Sequence, residues 1–221
     1  GLLDRAGTRL AAWAIGRDGL ASRGDGLVLE LPDGPPIGVH LAARDLATDP
    51  LADGAGDLVT GSALLDLVSA GWIGQVADAC RDAGAAAYFA LSYDGTVGWR
   101  PGHADDAWML GIVNLHQQGD KGLGLALGPA ATKTARAAFE ARGYAVETAD
   151  SPWQIGPAQK DLQRAYLHGH VAAARQLAPH ESPRIEAWAA FHLGEIEAGR
   201  SHVSVGHVDL LALPSGATPP S

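Results

Sequence analysis

The alternation of short apolar runs with helical patterns restricts the fold of this chain more than any other feature of its sequence. The apolar runs at residues 57–60 and 85–92 have the length of buried strands, and the segment 69–83 between them has apolar residues at helical spacing. Ser69 is a plausible N-cap of that helix, and Gly84 follows its end. This alternation predicts an α/β fold with a mostly parallel sheet and helices on both faces.

Beyond residue 149 the order of elements changes. One helix is predicted to begin at Pro157 and to stop before Pro179, and another to begin at Pro183. The segment HVSVGHVDLLALP that follows alternates with a period of two residues. This pattern predicts that the last strand is antiparallel and lies at an edge of the sheet.

The first part of the chain contains two predicted strand ends. Residues 1–4, GLLD, have the pattern of the end of a buried strand, and a helix is predicted over residues 5–15. The runs LVLEL and IGVHLAARDL flank a Pro-Asp-Gly turn, which predicts a β-hairpin whose second arm ends at Asp45 and Leu46. Further on, the tripeptide YDG at residues 93–95 indicates a turn that ends the strand before it.

Composition restricts the partners and the compartment. The net charge is −9, and the lysines are Lys121, Lys133 and Lys160, so a nucleic acid partner is disfavoured and a small molecule is expected. No apolar stretch approaches about 18 residues, which argues against a membrane span. No signal peptide is evident, and the single cysteine, Cys80, is expected to be a buried structural thiol, which favours the cytoplasm. One domain over residues 1–214 is predicted, with a disordered tail at residues 215–221.

Three small residues, Gly61, Ser62 and Ala63, interrupt the apolar run after the strand at residues 57–60. In an open α/β sheet ligands bind beyond the carboxyl ends of the strands, and small residues there let a ligand approach the backbone. Ser62 can donate to a ligand oxygen, and Asp66 can bind an amine or a hydroxyl or simply lie in the first turn of a helix. A structural turn and a ligand site are both open at this point.

Three predicted strand ends thus carry polar residues: Asp4, Asp45 and Ser62. An acid at one strand end is suited to the hydroxyls of a ribose, and an acid at the next can accept from an adenine amino group, with Leu46 packing on the ring. Each of these acids is also a common turn residue. Their order favours a shared nucleoside site.

Four segments of the chain, DLVTGSALLDLVS, AAAYFALSYDG, HQQGDKGLGLALGP and VGHVDLLALP, resemble the class I S-adenosylmethionine-dependent methyltransferases, in particular bacterial methyltransferase-like proteins. The resemblance implies a Rossmann-like sheet of seven strands in the order 3-2-1-4-5-7-6, with the last-placed strand antiparallel. It also implies S-adenosylmethionine as cofactor. Its cofactor residues match Asp4, the pair Asp45 and Leu46, and the segment Gly61, Ser62 and Ala63.

The chain departs from this family at its beginning. The family's first strand is followed by a glycine-rich G-x-G-x-G loop, and no such loop precedes Leu2. The chain is therefore expected to lack the family's first strand and to be part of a longer protein. If it is complete, another chain or a rearranged edge is expected to fill the gap.

Methyl transfer needs alignment of the acceptor with the methyl group, and it needs a general base only if the acceptor must lose a proton. No catalytic residue can therefore be named from the sequence. The candidates for the acceptor site are Asp66, Tyr93, Asp94, His116, Asp120 and Lys121. Asp94 and the Asp120-Lys121 pair are equally typical of turns, the latter also of a lid, and His116 is typical of a packing or capping histidine.

Metal binding is not expected. His168 and His170 lie two residues apart on one helix, and His202 and His207 lie on opposite faces of the last strand. Core packing is expected for the aromatic residues of the late segments, Trp153, Tyr166, Trp188 and Phe191. The function predicted is a methyltransferase acting on a small molecule. The alternatives are a catalytically inactive methyltransferase-fold binding or interaction module and, more remotely, a nucleotide-dependent oxidoreductase.

Overall fold

The computed structural model describes residues 1–24, 26–48, 51 and 54–215. It separates the chain into two compact units, Gly1–Asp45 and Leu46–Ser221, whereas the sequence predicts one domain over residues 1–214. All but Ser215 of the predicted disordered tail lies outside the described residues. Within the described part of the chain, no helix is long and apolar enough to cross a membrane.

The first unit is a helix followed by a small antiparallel sheet. Its elements are α1 (Leu2–Ile15), β1 (Leu20–Arg23), β2 (Leu27–Glu30) and β3 (Ile37–Val39), with the strands in the order β1-β2-β3. Ala14 of α1 packs with Leu27 and Leu29 of β2 in a small apolar core. The predicted hairpin is confirmed, because β2 and β3 pair antiparallel on either side of the Pro-Asp-Gly turn.

The two predicted strand ends in this unit are wrong. Residues 2–4 form the first turn of α1, where Leu2 is 79% exposed and the Asp4 carboxylate lies 2.6 Å from the terminal amine of Gly1. An acidic side chain there suits the positive end of the helix dipole and stabilises the first turn of α1. Strand β3 ends at Val39, so Asp45 lies beyond its end.

The second unit contains the larger sheet and five helices of the described chain. Its elements are β4 (Leu58–Ser62), α2 (Ala70–Ala83), β5 (Ala86–Arg100), α3 (Asp106–Gln117), α4 (Ala131–Glu140), β6 (Tyr144–Asp150), β7 (Trp153–Ile155), α5 (Lys160–Leu177), α6 (Ser182–Glu197) and β8 (His202–Pro214). The predicted boundaries of α2 are confirmed, since Ser69 accepts a hydrogen bond from the Trp72 N–H and Gly84 is left-handed. The two helices predicted before the last strand are confirmed as α5 and α6.

The sheet of the second unit is mixed. Its main strands have the order β4-β5-β8-β6, and β7 pairs with the beginning of β8. Only β4 and β5 pair in parallel among the described strands, so the expectation of mostly parallel pairing is wrong. Because β8 is antiparallel to both β5 and β6, the strands β4, β5 and β6 nevertheless run in one direction. The last strand is antiparallel as predicted, but it lies inside the sheet rather than at its edge.

Helices cover opposite faces of this sheet at its two ends. Leu210 and Ala212 of β8 belong to an apolar core with α2 and α4. Val203 and Val205 belong to a separate core with α3, α5 and α6. Residues at odd separation on a strand point to opposite faces, so the two cores lie on opposite sides of β8. The expectation of helices on both faces is confirmed.

The predicted turn at residues 93–95 is wrong, because β5 continues through it to Arg100. Tyr93 still pairs with His207, and Val97 pairs with Val205, with an irregularity between them. The Asp94 carboxylate accepts hydrogen bonds from the N–H and the hydroxyl of Thr96 at 2.7 Å each. The turn-forming residues therefore make a bulge within a long strand instead of reversing the chain.

Candidate functional site

A cavity of about 370 Å³ lies beside the middle of β5 in the second unit. This volume is in the range of sites for small molecules. Three of the predicted acceptor residues line it: Asp66, Tyr93 and His116. Further polar or aromatic side chains of the lining, for which the sequence predicted no ligand role, are Gln117, Trp153, Tyr166, His170 and His207.

Asp66 reaches the cavity because the chain turns sharply after β4. Ala63 has a left-handed backbone (φ 51°), a conformation that costs a residue with a β-carbon about 1–2 kcal/mol, and its N–H donates to the carbonyl of Ala90 at 3.0 Å. A turn of 3-10 helix over Leu65–Leu67 follows. Leu65 is 1% exposed, so it holds this turn against the core. Asp66 therefore lies in a 3-10 turn and not in the first turn of an α-helix, which was the structural alternative from the sequence.

The Asp66 carboxyl is buried, with 8% of the residue exposed. Burial raises its pKa, while hydrogen bonds from the N–H groups of Asp66 and Tyr93 and the nearby His207 oppose the increase. The protein compensates the negative charge of the Asp66 carboxylate only in part. A ligand group that is positively charged or donates a hydrogen bond is therefore favoured beside it.

Tyr93 is held by a chain of hydrogen bonds. Its hydroxyl donates to the side-chain oxygen of Asn114 at 2.8 Å, and the Asn114 amide donates to the carbonyl of Gly95 at 2.9 Å. These bonds connect α3 to the bulge of β5. Burial raises the pKa of the Tyr93 phenol, so this side chain serves the site as a neutral, fixed ring.

His170 and His207 have their protons placed by backbone carbonyls. Nδ1 of His207 lies 3.1 Å from the carbonyl of Val205, and Nδ1 of His170 lies 3.1 Å from that of Tyr166. Because a carbonyl only accepts, each neutral ring carries its proton on Nδ1 and a lone pair on Nε2. The buried Nε2 of His170 has no hydrogen-bond partner, and burial lowers the pKa of this ring.

Two aromatic rings complete the lining. The ring of Trp153 lies 4.8 Å from that of His207 between centroids, and the ring of Tyr166 lies 4.4 Å from that of His170. Trp153 is 39% exposed, so its predicted role in core packing is wrong, whereas Trp188, at 1%, is a core residue as predicted. The period of β8 places Val205 and His207 on one face, and this is the sequence signal that could have indicated His207 as a lining residue.

The remaining acceptor candidates do not line this cavity. Asp94 is engaged by Thr96 in the bulge. The Asp120 carboxylate accepts from the N–H of Gly122 at 2.7 Å, and the Lys121 ammonium donates to the carbonyl of His116 at 3.0 Å. These contacts correspond to the turn alternative of the sequence prediction.

The predicted cofactor residues fit a cofactor only in part. Ser62 and Ala63 are exposed at the carboxyl end of β4, where the resemblance implies the cofactor. A β-carbon on Gly61 would lie 3.1 Å from the Phe89 ring, so its small size is required by packing. The Leu46 carbonyl accepts from the Trp72 indole at 2.8 Å.

Asp4 and Asp45 belong to the first unit, and neither lies at the end of a strand. The role that the resemblance implies for Asp4, an acid at the end of a strand, is therefore not supported by its place in the fold.

No family model matches the chain, and no curated protein matches it significantly. Among the described residues, no group of three or more histidine, cysteine, aspartate or glutamate side chains could hold a metal ion. The Cys80 thiol is buried as predicted, and burial raises its pKa to about 11, which makes it a poor nucleophile. The function is therefore argued from the cavity and the sheet around it.

Proposed function

We propose that the protein is an S-adenosylmethionine-dependent methyltransferase acting on a small molecule, and that the cavity beside Asp66 holds the methyl acceptor. The observation that carries this proposal is the strand order β4-β5-β8-β6 with β8 antiparallel. It equals the order 4-5-7-6 that the resemblance implies for the fourth to seventh strands. The acceptor cavity begins just after β4, where ligands of such sheets bind.

The chain's own residues have defined roles in this proposal. The Asp66 carboxylate orients an N–H or O–H group of the acceptor, and the fixed ring of Tyr93 forms one wall. The lone pair on Nε2 of His207 can receive a proton that the acceptor loses. Ser62 and Ala63 would lie beside the cofactor, which supplies an activated methyl group when bound.

A second candidate function is a binding module with this fold but without catalysis. It is favoured by Asp4 and Asp45, because neither lies at a strand end where it could contact a nucleoside as the resemblance implies. In that case the cavity would still bind a small molecule, but S-adenosylhomocysteine would not bind.

A variant with a bulky side chain at the carboxyl end of β4 tests the proposal. We expect Ser62→Phe to weaken binding of S-adenosylhomocysteine at least about tenfold, because the ring would fill the space beyond β4. Thr60→Phe is the matched control, since Thr60 lies on the same exposed face of β4 but before its end. Isothermal titration calorimetry of both variants decides. If the native protein and Ser62→Phe bind S-adenosylhomocysteine equally well, the carboxyl end of β4 is not part of the cofactor site.

A further inference from the structure

We infer that the cavity binds a protonated amine attached to an apolar or aromatic body. This inference rests on the proposed function for the role of the ligand as methyl acceptor. The cavity itself provides three independent observations that favour an amine. They concern its charges, its hydrogen-bonding groups and its aromatic walls.

The charges of the lining favour a cation. Asp66 is its one carboxylate, and no lysine or arginine is present among the described residues that line the cavity. An anionic ligand would lose its hydration and would lie close to the Asp66 carboxylate. Among the described lining residues, the positive charge offered to it would be that of a protonated histidine such as His207, which also acts on Asp66. An ammonium group would compensate the buried carboxylate, which its surroundings compensate only in part.

Three of the hydrogen-bonding groups of the lining can accept a hydrogen bond from a ligand. The Asp66 carboxylate accepts, and Nε2 of both His170 and His207 carries a lone pair when the rings are neutral. Nε2 of His170 is buried and has no partner in the protein. Buried polar atoms without partners are rare, so this atom indicates a donor that comes from a ligand or from a water in its place. A protonated amine supplies up to three N–H donors, whereas a carboxylate supplies none.

The walls of the cavity suit an organic cation. The rings of Tyr93, Trp153 and Tyr166 line it, and aromatic faces attract ammonium groups and also pack on apolar bodies. Trp153 is 39% exposed, so its ring is a part of the wall that solvent reaches. The volume of about 370 Å³ admits a single-ring amine but not a large ligand such as a peptide.

Three probes of similar shape and different charge test the inference: 2-phenylethylamine, 2-phenylethanol and phenylacetate. Each is titrated calorimetrically into the full chain near neutral pH without cofactor. We expect the amine to bind at least about tenfold more tightly than the alcohol, and phenylacetate to bind most weakly. Binding of phenylacetate or of the alcohol that equals or exceeds that of the amine would overturn the inference.

A charge-removing variant locates the amine. Asp66→Asn keeps the size of the side chain and an oxygen that can accept from the Tyr93 N–H. We expect it to weaken binding of 2-phenylethylamine at least about tenfold and to leave 2-phenylethanol within about twofold. Asp150→Asn, at an exposed position of β6 outside the cavity, is the matched control and should change neither. Unchanged amine binding in a folded Asp66→Asn protein would refute the assignment, and if this variant does not fold, the three probes on the native protein decide.

Failure of this inference and failure of the proposed function give different results. If 2-phenylethylamine binds and S-adenosylhomocysteine does not, the amine site stands and the methyltransferase proposal falls. If S-adenosylhomocysteine binds and the amine has no advantage over the alcohol, the methyltransferase proposal stands and the acceptor is not an amine.

Discussion

Asp66 is the residue on which most of the site depends, and its charge has a consequence for stability. Burial raises the pKa of Asp66 in the folded state above the value of 3.8 expected for an exposed aspartate. A raised folded-state pKa means that this group favours folding at low pH, and that the benefit is lost as the pH rises through the folded-state pKa. Above the folded-state pKa, the ionised carboxylate lowers the free energy of unfolding of the protein without ligand.

We therefore expect Asp66→Asn to gain stability relative to the native protein as the pH rises. The difference between their free energies of unfolding should shift in favour of the variant as the pH rises above the unfolded-state pKa of about 3.8, and it should level off above the folded-state pKa of Asp66. Urea denaturation at several pH values measures it, with Asp150→Asn as the control at an exposed position. A difference that does not change with pH, or that shifts toward the native protein, would show that Asp66 is not held in an unfavourable charged state.

At the scale of single residues, the sequence predicted part of this site for a physical reason. Asp66 follows a predicted strand, and Tyr93 comes directly after the predicted strand at residues 85–92, so both could be placed near a sheet end. Trp153, Tyr166 and His170 could not, because an aromatic residue at helical or strand spacing has the same pattern whether it faces a core or a cavity. Only the fold, with Tyr166 and His170 on α5 facing β8, separates the two cases.

At the scale of elements, the bulge of β5 is the feature that could not be predicted from local sequence patterns. Asp94 and Gly95 are typical of a reverse turn, but the pairing of β5 with β8 over both halves is a long-range interaction that local patterns do not report. Gly206 of β8 lies opposite the bulge, and a β-carbon there would overlap Oδ1 of Asp94 and the Thr96 hydroxyl.

The bulge should therefore be sensitive to the loss of this glycine. We expect Gly206→Ala to lower the free energy of unfolding by about 1–3 kcal/mol, because the methyl group displaces the Asp94 carboxylate from Thr96. Gly98→Ala is the matched control, since a β-carbon on Gly98 would meet no heavy atom within 4 Å. Thermal and urea denaturation compare the two. Equal stability of both variants would mean that the bulge does not depend on space at Gly206.

At the scale of the whole molecule, the two parts of the chain follow the sequence prediction to different extents. In the second unit the alternation of strands and helices predicted the elements, but the sheet is mixed and has five described strands, whereas the resemblance implies seven. In the first unit the predicted strand ends at Asp4 and Asp45 were wrong. The reason is that residues 1–4 are apolar enough for either a strand end or a helix start, and only their surroundings select the helix.

The proposed methyltransferase requires that cofactor and acceptor bind to one protein at the same time. The most direct measurement saturates the full chain with S-adenosylhomocysteine in a calorimeter and then titrates 2-phenylethylamine into the complex. We expect saturable heat in both steps, with the amine binding the complex at least as tightly as it binds the free protein. Absence of heat and of thermal stabilisation with S-adenosylhomocysteine, while the amine still binds, would contradict the methyltransferase proposal and leave a binding module with an amine site.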